Sequence, residues 1–424
     1  MSGDNKTKEY ADRIIARAKE LRSSYAFEAP LTQIGTRISA AQAKATTAMH
    51  KRNYKHITIA FVIAIVVVGA ISLCLPYYGV DSQGMGGGIY SPKTIFAGYK
   101  LWFKLNILTL FDSSLSARSA QLLSAFSATY GVGTYTLIMN RAIVTLLVIM
   151  CGIMLALSGM LFQTSFKNPL AAPTMLGVSD GVTLGCIVYT MLGYVSITDK
   201  PELYTLLVYG FGALMVAVVL GASRLLSGGK RYNVLDMLLL GTVLCQLLGG
   251  ASQFIQTFVM DDTTWATFYD VQQASNALIE PLLQYIAIAA FLICIVIVFI
   301  NRFKFNFIAF SDEEGIAMGV RPGLLRALAL VLGSAMQLVA LASIGQVAML
   351  SMAVPFLVRF LMPSDFKSQF IGNCLVGSLM LLVCFVCQHF AVIGYMTMPV
   401  GSIVSIVIVP FFVWVVALSK GGWK

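Results

Sequence analysis

Few residues of this sequence are placed to do chemistry on their own. Among 424 residues there are three histidines, His50, His56 and His389, and eight cysteines. Cys384 and Cys387 form a C-x-x-C, the spacing of a redox pair or of half a zinc site. No second pair of ligands accompanies it, and it falls inside an apolar run, where thiols pack as small hydrophobes. Gly228-Gly229-Lys230 is the nearest approach to a phosphate-binding loop, and it lacks both the upstream glycine and the following hydroxyl. The chain is therefore not expected to hydrolyse ATP by itself. The carboxylates and histidine inside the apolar runs are Asp180, Asp236 and His389. Asp180 and His389 are the candidate coupling groups of an ion-driven secondary transporter. Asp236 stands where a helix N-terminus favours a carboxylate in any case. No catalytic residue, metal site or cofactor site follows from these positions.

The elements that position those residues belong in a membrane. Hydrophobic side chains make up 58% of the chain and charged ones 11%, against about 25% charged in an average soluble domain. The mean hydropathy is +0.81, and apolar runs near the ~20 residues that cross a bilayer core recur along the chain. These runs lie at about 57–76, 138–163, 175–194, 203–226, 234–259, 282–301, 326–343, 346–361, 371–393 and 399–418. The expectation is an all-α polytopic membrane protein of about ten transmembrane helices, with a leader over 1–56 and a ten-span membrane domain over 57–420. A net charge of +10 then speaks to sidedness rather than to nucleic acid. Residues 1–56 hold 11 Lys/Arg against 5 Asp/Glu, and ten spans from a cytoplasmic N-terminus place 23 basic residues inside and 6 outside. Both termini are expected in the cytoplasm, and the leader is expected to be a basic tail that can meet anionic lipid.

Two irregularities stand out. The run over 326–361 is interrupted by Ser343, Gly345 and Gln346 and carries Pro355, so spans 7 and 8 are expected to be short or broken around a cavity. The outer stretch 77–137 opens on Gly84, Gly86, Gly87 and Gly88, then interleaves Trp102, Phe103 and Phe111 with Lys100 and Lys104. This reads as a flexible turn followed by an interfacial helix.

The second span and the turn after it run Arg141, then Leu155-Ala156-Leu157-Ser158-Gly159, Gln163, Lys167-Asn168-Pro169-Leu170-Ala171-Ala172-Pro173 and Gly177-Val178-Ser179-Asp180-Gly181. This resembles the iron-siderophore, haem and cobalamin family of ABC importer permeases. Glu313-Glu314-Gly315 through Gly319-Val320, Pro355 with Arg359, and Met398-Pro399-Val400-Gly401 resemble three further segments of the same family. Ile138 stands where the family has the first of two outer arginines, and Phe356 where it has a histidine.

The resemblance implies a permease of a binding-protein-dependent importer in the bacterial plasma (inner) membrane, carrying a ferric siderophore or other iron chelate, haem or cobalamin. It implies a second permease copy or a homologous permease, two ATPase subunits that hold ATP and magnesium, an extracytoplasmic binding protein and surrounding lipid as partners, with no cofactor on this chain and no nucleic acid. The cytoplasmic loop 302–325, with Glu313, Glu314, Gly315, Gly319 and Val320, would couple to the ATPase; Ser311 and Glu314 have the spacing of a capping box there. Ser158, Gly159, Gln163, Asn168, Gly177 and Gly181 would belong to the pathway, and Arg141 would face the binding protein. With one family arginine missing, the outer segment 84–118 is the expected substitute for docking.

Overall fold

The computed structural model describes residues 56–74, 91–106, 119–130, 134–226, 234–274, 277–306, 321–347, 349–363, 365–388, 392–393 and 396–419. The chain divides into two units, 1–57 and 58–424, and the account below concerns the second. The leader, the glycine run 84–88, Phe111, His389 and the coupling residues Glu313, Glu314, Gly315, Gly319 and Val320, with Ser311, lie outside the described residues.

The helices follow in the order α1 (His56–Cys74), α2 (Pro92–Asn106), α3 (Ser119–Tyr130), α4 (Thr134–Phe166), α5 (Val178–Met191), α6 (Pro201–Leu226) and α7 (Val234–Phe258). After them come α8 (Asp262–Gln272), α9 (Pro281–Ile300), α10 (Arg302–Asn306), α11 (Pro322–Ile344), α12 (Leu350–Leu361), α13 (Phe366–Gln388) and α14 (Val400–Ser419). A two-residue hairpin, with Val392 paired to Thr397 and Ile393 to Met396, precedes α14. Each of the ten apolar runs coincides with a helix. Among the described residues, seven helices are long and apolar enough to cross a membrane. The other three runs fall short of that: α5 has 14 residues, α12 has 12, and α14 qualifies only as the shorter apolar stretch Val400–Pro410.

The core is built on α4, because small residues let other helices reach its backbone. Without a hydrophobic drive between helices in lipid, such close contacts carry much of the association. A Cβ on Gly152 would lie 2.5 Å from the Gly377 carbonyl oxygen, so α4 and α13 cross backbone to backbone. Gly333 of α11 leaves room for the Phe162 ring. Tyr204 of α6 is buried and donates from its hydroxyl to the Ala342 carbonyl, 3.1 Å away, which fixes α6 against the end of α11.

The break between spans 7 and 8 is present. α11 ends at Gly345, with φ of +79°, and Met349 takes φ of +67° ahead of α12. Pro355 lies inside α12 and has no N–H to give to the carbonyl four residues back. The outer segment forms a helical pair, α2 and α3, in place of a single interfacial helix. α4 begins at Thr134, about one turn before the apolar run, because the pair packs on that turn: Leu101 of α2, Phe126 of α3 and Ile138 of α4 form one buried cluster.

Candidate functional site

Three of the residues expected in the pathway meet at the joint of α4, α11 and α12. Ser158 is fully buried, donates to the Leu155 carbonyl at 2.8 Å and lies 3.2 Å from Gln337 Oε1 of α11. The Ser351 carbonyl, which Pro355 leaves without its helical donor, sits against Gly159, where any Cβ would collide with it. One turn further, Gln163 Nε2 donates to the Met352 carbonyl at 2.9 Å. The broken helix α12 is thus seated on α4 by a glycine and an amide, which supply the cover that non-helical backbone needs at membrane depth. In this chain all three residues are buried in packing, not exposed on a wall.

The other three lie around the turn into α5. Asn168 Oδ1 accepts from the Leu170 N–H at 3.0 Å and closes the loop that ends α4. Gly177, with φ of +74°, ends a short 3-10 turn and begins α5, a conformation that suits glycine. Gly181 meets α6, where a Cβ would stand 2.7 Å from the Phe211 carbonyl oxygen. Asp180 sits in the first turn of α5, half-buried, and nearby the Cys245 thiol of α7 donates to the Thr174 carbonyl at 3.6 Å. The place of Asp180 at a helix N-terminus, where partial positive charge gathers, accounts for a carboxylate there. Cys384, the first thiol of the C-x-x-C, is fully buried in α13.

The surface that sequence reasoning missed is on α7. This helix packs by one side on α5 and α6, with Gly241 against the Met175 carbonyl. Its open side carries two stripes. Leu239, Val243, Leu247, Phe254 and Phe258 are 60% to 75% exposed. Thr242, Gln246, Gln253 and Thr257, each one residue before a member of that stripe, are exposed too, and with Gly250 they recur at spacings of four, four, three and four. Amides on an outward face of a membrane helix are not solvated by hydrocarbon, so the second stripe must look onto protein or water. The sequence signal was the i, i+4 spacing of Gln246 and its neighbours within an otherwise apolar run.

Arg141 is 4% exposed. A partner approaching from outside would meet it only after its cover moves.

Beyond α7, Asp261 caps α8. Its carboxylate accepts from the Thr263 hydroxyl and from the Thr264 N–H at 3.2 Å. These bonds, the Thr263 hydroxyl first, hold its pKa down at about 2. Because the folded value lies below the ordinary one, the cap contributes fully above the unfolded pKa near 4 and is lost as pH falls through about 2. Asp261→Ala is expected to speed amide exchange of α8 at pH 7, leaving α9 unchanged. Equal exchange in both proteins would remove the cap assignment.

The model of the FecCD transport family matches residues 103–417. A Helicobacter pylori (strain ATCC 700392 / 26695) protein named probable iron chelatin transport system permease protein is 27% identical over 292 residues, 66% of this chain and 81% of its own. The Yersinia pestis hemin transport system permease protein HmuU is 26% identical over 320 residues, 74% of this chain and 93% of its own. A solved inward-facing structure described as a metal-chelate type ABC transporter has a TM-score of 0.62 at 19% identity, covering 86% of this chain and 99% of that one, and shares the fold. The matched stretch begins on α2 and runs into α14, taking in the α4 joint, the α7 face and the broken pair α11 and α12. With its bundle gathered on α4 and its family match over most of its length, this chain belongs to the FecCD transport family.

Proposed function

We propose that this chain is the permease subunit of a binding-protein-dependent ABC importer in a bacterial inner membrane, carrying an iron chelate, haem or cobalamin. Family membership over residues 103–417 is the observation that carries this reading. The relatives are named for iron chelatin, hemin and, in Citrobacter koseri (strain ATCC BAA-895 / CDC 4225-83 / SGSC4696), vitamin B12. Ligands of that size need a wall that holds them weakly enough to release them. The uncharged stripe Thr242, Gln246, Gly250, Gln253 and Thr257 supplies hydrogen bonds without fixed charge, and its outward position suits a pathway completed by a second permease copy. Gly177 and Gly181 set the helices on which α7 rests, while Ser158, Gly159 and Gln163 seat α12 on α4 and Asn168 closes the turn between α4 and α5.

Two ATPase subunits bind from the cytoplasm at loop 302–325, with Glu313, Glu314, Gly315, Gly319 and Val320 in contact. Hydrolysis takes place on those subunits and not on this chain. The 23 to 6 division of basic residues supports a cytoplasmic placement of that loop and of both termini.

Co-expression with the ATPase encoded in the same gene cluster tests the reading. A complex that survives detergent extraction and purification is expected. A chain that purifies without any ATPase and still supports substrate uptake would overturn it.

A further inference from the structure

The outer end of α4 carries a surface that the transport reading does not use. α4 has 33 residues, which at 1.5 Å per residue is about 50 Å of helix against a hydrocarbon core about 30 Å thick. Some of α4 must stand clear of the bilayer, and α2 and α3 are fastened to its first turns. The fastening is apolar and close: Gly98 of α2 leaves room for Ile138, whose Cδ1 would be 2.9 Å from a Cβ there, and Leu101 and Phe126 complete the contact. Phe126 also packs edge-on against Tyr135 of α4, with centroids 6.2 Å apart.

With that side of α2 spent on α4, its other side is open. Lys93, Phe96, Lys100 and Phe103 recur at spacings of three, four and three, and all are exposed, Phe96 at 73%. Trp102 lies at the margin. Neither α2 nor α3 contains an acidic residue.

We infer that the Lys93–Phe96–Lys100–Phe103 face of α2 is the docking surface for an acidic patch on the extracytoplasmic binding protein. This rests on the function proposed above. Aromatic and basic groups share one face here, whereas a helix that lies on lipid separates its apolar side from its charged one. Insertion of Phe96 and Phe103 into hydrocarbon would carry two flanking ammonium groups toward it. A protein surface with carboxylates beside shallow apolar hollows satisfies both kinds of side chain, and aromatic anchors of this type dominate interface energies. The same packing accounts for Ile138: a charged side chain at that position would be buried beneath α2 without a place in the apolar cluster.

The test uses the full chain with its ATPase in nanodiscs, titrated with the binding protein from the same gene cluster. One disc set is phosphatidylcholine alone, and a second contains phosphatidylglycerol. Lys93→Glu with Lys100→Glu, and separately Phe96→Ser with Phe103→Ser, are expected to raise the dissociation constant about tenfold in both disc sets, a loss typical of anchor residues. Lys200→Glu, on the outer turn before α6, is expected to leave it unchanged. Wild-type affinity is expected to weaken with salt, and the double lysine variant to lose most of that dependence.

Retention of ATPase by each variant reports that it is folded. Unchanged affinity in folded variants would overturn the surface, as would losses that appear only with phosphatidylglycerol, which would assign the face to lipid. If wild-type chain holds the ATPase yet binds no binding protein, the importer reading itself fails, and that result is distinct from a failure of this surface alone.

Discussion

Gly159→Ala is expected to prevent accumulation of the folded chain, or to lower its thermal midpoint far more than Gly210→Ala. A Cβ at Gly159 collides with the Ser351 carbonyl, whereas one at Gly210 meets nothing within 4 Å. Overpacking in a well-filled interior costs about 1–3 kcal/mol, and the cost here belongs at or above the upper end because the obstacle is backbone on a helix already interrupted by proline. Relief would require α12 to withdraw from α4. The Gln163 bond to the Met352 carbonyl would then be lost as well, leaving a buried amide without its acceptor at about 1–3 kcal/mol. Thermal unfolding of detergent-purified variants, followed by loss of monodisperse protein, reads the difference. Equal midpoints for the two variants would show that α12 is not seated on α4 as described.

The second large effect concerns coupling. Replacing both Glu313 and Glu314 with lysine is expected to leave the chain folded and inserted while cutting transport-coupled ATP turnover by about tenfold or more, since reversing two charges at a contact removes the electrostatic complementarity that sets its register. Turnover by the purified complex, with and without binding protein, is the measurement. Wild-type turnover in the double variant would remove these residues from the coupling surface, and loss of ATPase from the purified complex would give them a role in assembly.

The sequence made the helices legible because hydrocarbon solvates only long apolar runs, and each of the ten runs coincides with a helix. It was less informative about how a helix is used. α5 and α12 are apolar over more residues than their helices span, since the turns at Gly177 and Gly345 that shorten them are themselves buried. Pro355 and Gly345 announced the break. Nothing local announced that the freed Ser351 carbonyl would rest on a glycine nearly two hundred residues away.

Composition also blurred the two faces of α7. Gln246 and Gln253 in an apolar run are compatible with buried packing or with an open polar wall, and only the position of α5 and α6 on the opposite side distinguishes the two. At Ile138 the departure from the family motif was plain in sequence. Its physical meaning, a contact that holds α2 and α3 on α4, required the tertiary structure.

As the proposed importer subunit, this chain moves its ligand only when a partner hydrolyses ATP. Proteoliposomes containing the chain with its ATPase, supplied outside with binding protein and a radiolabelled ferric chelate and inside with ATP and magnesium, test it most directly. Uptake that requires the enclosed ATP and disappears when the ATPase is omitted is the predicted result. Uptake by the chain alone, driven by a proton or sodium gradient and abolished by Asp180→Asn, would contradict the account and assign the chain to ion-coupled transport.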